Sequence, residues 1–443
     1  DGGSYINGVG VQWKQIFGTR VDARAWGVGS GLGDDHTRWQ AAIDYMSALG
    51  GGKITFEGEC LLNGNITVKN GVVIEGSMPG PTGYKANFAT GNDWGSRIYI
   101  AEGYSIILNA GSTVDGFFIH KNGVTFPQTA VQSQSWTGTA IKGTMSSSFI
   151  RGCMIVGFEY GIDIGADGAT ARNQIVDCGI DCQNGVRMSG SADLDRIINV
   201  HVFPFLSSGI EESDRFGNGI EVTDGDGKHI EGCFVFSHIK NYVIHNSNQV
   251  LMLGCGSDCD AATTTLTTNV AVEITGDTTN PQIVGCRFIG KCLNVLHIDM
   301  TDTTSGATLN LTGNSFAAGC TAYLNVVDAT IIAVTGCTFS GCTYVAYFTN
   351  NPVNYLDFIM SGCTVYGTSY VIGCAAAFYG NIRVRFDPSN LLISTGTGGS
   401  QWLNSTQVVN NIASTGTVTI PTTGNNIYNV TGTTTITAFQ PGM

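Results

Sequence analysis

The sequence predicts an all-β chain, a right-handed parallel β-helix with a capping helix near its N-terminus and a β-rich C-terminal stem, on three observations. The first is a returning phrase: a small or turn-forming residue, then usually a cysteine, then an apolar residue two further on. It occurs at Gly152-Cys153, Asp177-Cys178, Gly232-Cys233, Gly254-Cys255, Gly285-Cys286, Gly336-Cys337 and Gly362-Cys363, with Asn199-Val200 and Gly313-Asn314 in the gaps. Successive starts lie 25, 22, 33, 22, 31, 28, 23 and 26 residues apart, the spacing of a solenoid. The second is the content of each unit, which is too short for paired helices and holds short apolar runs separated by Gly, Asn, Asp and Ser. Such runs read as strands joined by turns, and three of them make one rung. The third is composition: 61 Gly and 12% charged residues, with 42% hydrophobic residues spread so that no run is long enough to cross a bilayer.

Taken in order, residues 1–20 read as a neck or connector, with Trp13 and Phe17 among Gly and polar residues. An amphipathic helix follows. Asp34 or Asp35 is placed to cap its start, and Trp39, Ala42, Ile43, Met46 and Leu49 form one apolar stripe before Gly50-Gly51-Gly52 ends it. The first rung of a β-helix has an open apolar end, and a helix laid across it is the expected cap. Residues 53–56, 61–62, 66–68 and 72–74 read as the first strands. Residues 80–136 are poorly periodic, so residues 21–136 are read as the cap with irregular early rungs and long loops. Residues 137–387 are the regular β-helix that carries a substrate groove. Residues 388–443 contain no Asp, Glu, Lys, Arg or His, and their β-branched runs read as strands of a trimerisation stem that continues past Met443.

The cysteines find a plain explanation, because a thiol at the same slot of each rung stacks on those above and below as a small apolar residue. A disulfide framework serves small domains without a core, and 443 residues can bury a large one. Free, buried thiols are therefore expected, and with them synthesis in a reducing cytoplasm. Cys178 with Cys182 and Cys255 with Cys259 lack the paired spacing and histidines of a zinc site, so no metal is expected. The net charge of −13 argues against a nucleic-acid partner and against an anionic membrane surface.

One stretch carries a family resemblance. Residues 21–76 keep Asp34-Asp35, Gln40-Ala41-Ala42-Ile43, Gly51-Gly52, Phe56, Gly58 and Glu75-Gly76. This pattern resembles the opening of the pectate-lyase-like β-helix domains of bacteriophage tailspikes and capsular depolymerases. The chain departs from that family at Ser30, His36 and Glu57, positions that touch the cap and not the chemistry. The resemblance implies a homotrimer that works outside the cell as part of a virion tail, joined to the tail or baseplate through a preceding segment. It also implies hydrolysis of a bacterial surface polysaccharide, capsule or O-antigen, at interior bonds, without a cofactor.

Where chemistry sits is read from the strand that recurs about 8 to 16 residues after each phrase. Alternation puts Asp163, Arg187, Glu211 or Glu221, His245, Glu273, His297 and Asn325 in one outward column. The longest interval, from Asn199 to Gly232, contains an insertion rich in acids, including Glu211, Glu212, Asp214 and Glu221. Inserted loops on rigid scaffolds are common functional sites. Glycoside hydrolysis needs two carboxyl groups, about 5 to 5.5 Å apart for retention and about 6.5 to 9.5 Å apart for inversion. Glu221 and Glu273, two rungs apart with His245 between, suit inversion, while Glu221 with Glu211, Glu212 or Asp214 offers a closer pair. Tyr160, Phe205, Phe216 and Tyr242 are candidates to stack on sugar rings. A lyase using Arg187, His245 or His297 and a binding-only adhesin of the same fold remain alternatives. The motif sets of polygalacturonases and classical pectate lyases are absent from the sequence.

Overall fold

The computed structural model describes residues 18–391 except 32, 78–94, 127, 129, 144–145, 166–170, 191–192, 208–216, 237, 261–268, 302–306, 350–354, 369, 375–381 and 388. Toward the two ends it adds the backbone of short strands at 5–8, 11–14, 392–393, 409–413, 417–420, 428–431 and 438–441. Two compact units divide the chain, residues 1–210 with 215–220 and residues 211–214 with 221–443. Each is built from three parallel sheets, and each rung gives one strand to each sheet in turn. This is a right-handed parallel β-helix.

In the first unit the first sheet runs through Gly52–Thr55, Val72–Glu75, Thr113–Asp115, Phe149–Arg151, Gln174–Val176 and Arg196–Ile198. Its inward residues stack in register as Ile54, Ile74, Val114, Ile150, Ile175 and Ile197, all buried. The second unit repeats the device with Ile230, Met252, Ile283, Leu311, Val334, Met360 and Phe386. There an aromatic stack adds to it, Phe288 on Phe316 at 5.2 Å and Phe316 on Phe339 at 4.7 Å. Period-two alternation with one face buried produces these ladders, because a parallel strand sets identical slots one above another.

The returning phrase is the corner between the first and second sheets. Its leading residue adopts a left-handed backbone in every rung, φ lying between 50° at Asn199 and 63° at Gly285 and Gly313. Gly, Asn and Asp are the residues that tolerate this conformation. The turned N–H then reaches the next rung: Gly152 donates to Val176 O, Gly254 to Val284 O and Gly285 to Thr312 O, at 2.9 to 3.0 Å. The cysteine that follows points inward, and its thiol donates to the carbonyl two residues back, at 3.3 to 3.5 Å for Cys153, Cys178, Cys255, Cys286, Cys337 and Cys363. Asn314 fills the same slot differently, donating to Ile283 O at 2.8 Å and accepting from Cys286 N at 2.8 Å. The thirteen cysteines whose side chains are described are free thiols, and all of these but Cys320 are buried.

The helix spans His36–Ala48 and buries Trp39, Ala42, Ile43 and Met46. Trp39 packs edge-on against Phe56 at 5.5 Å and Phe117 at 6.2 Å. Leu49 corrects the expected stripe: it follows the helix, is 53% exposed, and leads into Gly50 at φ 92°. Asp34 accepts from His36 N at 3.1 Å and from Asn63 N at 2.9 Å, tying the helix start to a rung. Strands Arg97–Ile100, Ile106–Leu108, Thr113–Asp115 and Phe118–Lys121 take regular places in the three sheets, although their stretch is poorly periodic in sequence. In the C-terminal stretch, Tyr428–Thr431 pairs antiparallel with Ile382–Phe386, and Thr417–Ile420 pairs parallel with Ala438–Pro441. No helix among the described residues is long and apolar enough to cross a membrane.

Candidate functional site

The outer face of the third sheet carries the expected ionisable column, in two separate stretches. In the first unit, strands Thr139–Gly143, Tyr160–Ile164 and Asn184–Ser189 set Lys142, Asp163 and Arg187 in register. Arg187 forks onto Asp163 with Nε on Oδ1 at 2.8 Å and a terminal nitrogen on Oδ2 at 2.6 Å. Its guanidinium lies 4.5 Å from the centre of the Tyr160 ring. Asp163 and Arg187 are therefore brought together as the alternation predicted, and Tyr160, expected as a ring for sugar, stacks on the Arg187 guanidinium instead, in an arrangement that holds each side chain rigidly.

In the second unit the strands are Lys240–Asn248, Val270–Gly276, Asn294–Met300, Ala322–Asp328 and Tyr344–Phe348. Register places Val243, Glu273, His297, Asn325 and Tyr347 in one column. Lys240 Nζ binds Glu273 Oε1 at 2.7 Å, and Asn325 Nδ2 lies 2.9 Å from His297 Nδ1. The Asn325 amide is the donor in that contact, so a neutral His297 carries its proton on Nε2. Tyr344 and Tyr347 stand half-buried with ring centres 5.0 Å apart.

His245 lies elsewhere than the sequence placed it. Val243, not His245, is the partner of Glu273; His245 is two residues further along, opposite Thr275, with Nδ1 2.8 Å from Thr275 Oγ1. A slip of two residues leaves every side chain on its own face, so alternation alone does not detect it. Tyr242 is also corrected. It is fully buried and donates its hydroxyl to Gly256 O at 2.7 Å, and that burial raises its phenol well above the ordinary value. It shares the inward parity of Ile244, a signal already present in the sequence. Phe205 is half-buried and packs against the buried cluster of Phe118, Met154 and Val156. Glu211, Glu212, Asp214 and Phe216 lie outside the described residues. Glu221 is half-buried in the strand Asn218–Asp226.

A second column runs beside the first: His245, Thr275 and Asp299, then Asp328. The register shifts between Ile298 and Asp299, and this irregularity makes Asp328 the partner of Asp299. Burial holds the Asp328 carboxyl above the usual carboxylate range, and the charge of Asp299 adds to the effect. Neither aspartate was identified from the sequence. Asp299, two residues after His297, was open to alternation. Asp328, three after Asn325, has the inward parity and is turned out only by the shift. Among the described residues no group of three or more His, Cys, Asp or Glu side chains is arranged to hold a metal ion.

No protein-family model matches the chain, and no curated protein matches it. Solved structures do. DFA-IIIase from Arthrobacter chlorophenolicus A6 matches with a TM-score of 0.52 at 12% identity, over 85% of this chain and 95% of that one. The tailspike protein of E. coli bacteriophage HK620, in a complex with pentasaccharide, matches with a TM-score of 0.48 at 11% identity, over 83% and 80%. The A-module of the mannuronan C-5 epimerase AlgE4 from Azotobacter vinelandii matches with a TM-score of 0.46 at 14% identity, over 85% and 100%. At these identities the likeness is one of fold. The chain is a parallel β-helix protein whose structural neighbours include phage tailspikes and β-helix enzymes.

Proposed function

We propose that the protein binds a bacterial surface polysaccharide, capsule or O-antigen, on the outer face of the third sheet of its second unit and hydrolyses it at interior glycosidic bonds. The observation that carries the reading is the pair of matched columns there, Glu273, His297, Asn325 and Tyr347 beside His245, Thr275, Asp299 and Asp328. Carboxyl groups for acid and base, neutral hydrogen-bonding groups for hydroxyls and a tyrosine pair for ring faces are the chemical needs of a glycosidase. Asn246 Nδ2 reaches Asp224 Oδ1 at 3.1 Å, and the same offset carried back along the strand sets Glu221 beside Val243. Glu221 and Glu273 then flank Val243 two strand steps apart, about 9.6 Å, just beyond the inverting range of about 6.5 to 9.5 Å. The resemblance of residues 21–76 to tailspike openings supports the substrate class. A homotrimer attached to a phage tail or baseplate belongs to the same reading.

Hydrolysis is favoured over β-elimination because Arg187, the strongest cation of the expected column, is already engaged by Asp163 and stacked on Tyr160. The test is incubation with purified capsular and O-antigen glycans, reading new reducing ends and the ultraviolet absorbance of an unsaturated product. Reducing ends without absorbance are expected. Absorbance with cleavage would make the protein a lyase, and binding without cleavage an adhesin.

A further inference from the structure

Resting on that reading, we infer that the reacting carboxyl groups are Asp299 and Asp328, and that the glycosidic bond is cleaved with retention of configuration. They are register partners on adjacent strands, Asn294–Met300 and Ala322–Asp328. Adjacent strands lie about 4.8 Å apart, and side chains of register partners project side by side. That spacing falls near the separation of about 5 to 5.5 Å of a nucleophile and acid/base pair, whereas two strand steps leave room for a water between.

The environments of the two groups divide the roles. Asp328 is partly desolvated beside a like charge, which keeps it protonated to higher pH and suits it to donate. Asp299 is flanked in its row by Thr275, and its neighbour two residues back is His297, whose Nδ1 is held by Asn325. In the first step an Asp299 oxygen forms a bond to the anomeric carbon as the glycosidic C–O bond breaks, and the leaving oxygen takes the Asp328 proton. In the second, the Asp328 carboxylate takes a proton from water, the water oxygen bonds to the anomeric carbon, and the ester bond to Asp299 breaks. Both carboxyl groups end as they began.

The irregularity in the strand pairing gives this assignment its force. With unbroken register Asp328 keeps the parity of Val326, which is buried, and Asp299 has no acid beside it. Irregularities of this kind re-aim single side chains next to active sites.

The experiment compares wild type, Asp328→Asn, Asp299→Ala, Glu221→Gln and Glu273→Gln on the same capsular and O-antigen panel, following the anomeric proton of the first-formed product by NMR. The expected result is a retained anomer and a loss of at least about 100-fold in turnover for Asp328→Asn and Asp299→Ala. Sodium azide should partly rescue either variant by trapping a glycosyl azide, a response that a misfolded or merely destabilised variant does not give. If one variant fails to fold, azide rescue of the other decides. An inverted product, or full activity in Asp328→Asn with loss in Glu221→Gln or Glu273→Gln, overturns the assignment and leaves the hydrolase reading standing. Absence of cleavage across the panel by wild type overturns both.

Discussion

At the scale of the residue, the chain shows how a β-helix treats a polar group on or near its sheets: it engages the group or shifts its ionisation. Asp163 and Arg187 take the first course. His120 takes the second. Its ring sits among Tyr99 at 5.4 Å, Phe118 at 5.8 Å and Phe126 at 5.3 Å, and burial lowers its pKa below the ordinary value of 6.5, with Arg97 adding to the effect. Nδ1 lies 2.7 Å from Lys121 O, so the neutral ring donates there. Because the folded state binds the proton less well than the unfolded chain, the neutral ring's contribution is fully present above the unfolded value. It is lost as pH falls from there through the lowered folded value. Thermal melts between about pH 7.5 and 5.5 should show a shallower decline for His120→Asn than for wild type. Parallel curves would show that another group sets the slope.

At the scale of the element, the corner residue is what the repeat repeats. Gly285 has φ 63° and its N–H binds Thr312 O at 2.9 Å, and a Cβ added there meets nothing within 4 Å. Conformation alone therefore decides what the position accepts. Asp177 and Asn199 hold the same corner in other rungs at φ 53° and 50°. Gly285→Asn should change stability by less than about 0.5 kcal/mol, and Gly285→Val should cost about 1 to 2 kcal/mol, read as urea midpoints. Equal losses for both would mean that space rather than backbone conformation governs the corner. The rungs and their inward faces were legible because alternation and left-handed corners are local. The order of partners along a column was not, as His245 and Asp328 show, since a two-residue slip or a shifted register leaves no local mark.

At the scale of the whole molecule, the thiols test the fold broadly, since the described cysteines come from rungs in both units. Burial raises Cys60 to about 12, and hydrogen bonding to neighbouring thiols, joined by burial, raises Cys255 and Cys286. Low thiolate content and lack of access both suppress reaction. Iodoacetamide labelling of the native protein, mapped by mass spectrometry, should modify Cys320 first among the described thiols, and all 14 cysteines should react after denaturation. Rapid native labelling of Cys255 or Cys286 would contradict the inward ladder.

Spacing, alternation and turn residues sufficed to read a solenoid of three-stranded rungs, free thiols at its inner slots, and an outer column rich in ionisable groups. These are properties of single strands and single turns, set by the pleat and by which residues tolerate a left-handed backbone. Pairing between rungs was another matter. The order of Val243, Glu273 and His297 and the turning of Asp328 toward Asp299 both depend on register between segments some 24 to 30 residues apart. Register is decided by the packing of whole faces, and one irregular pairing in the third sheet was enough to bring together two carboxyl groups that the chain's alternation assigns to opposite sides.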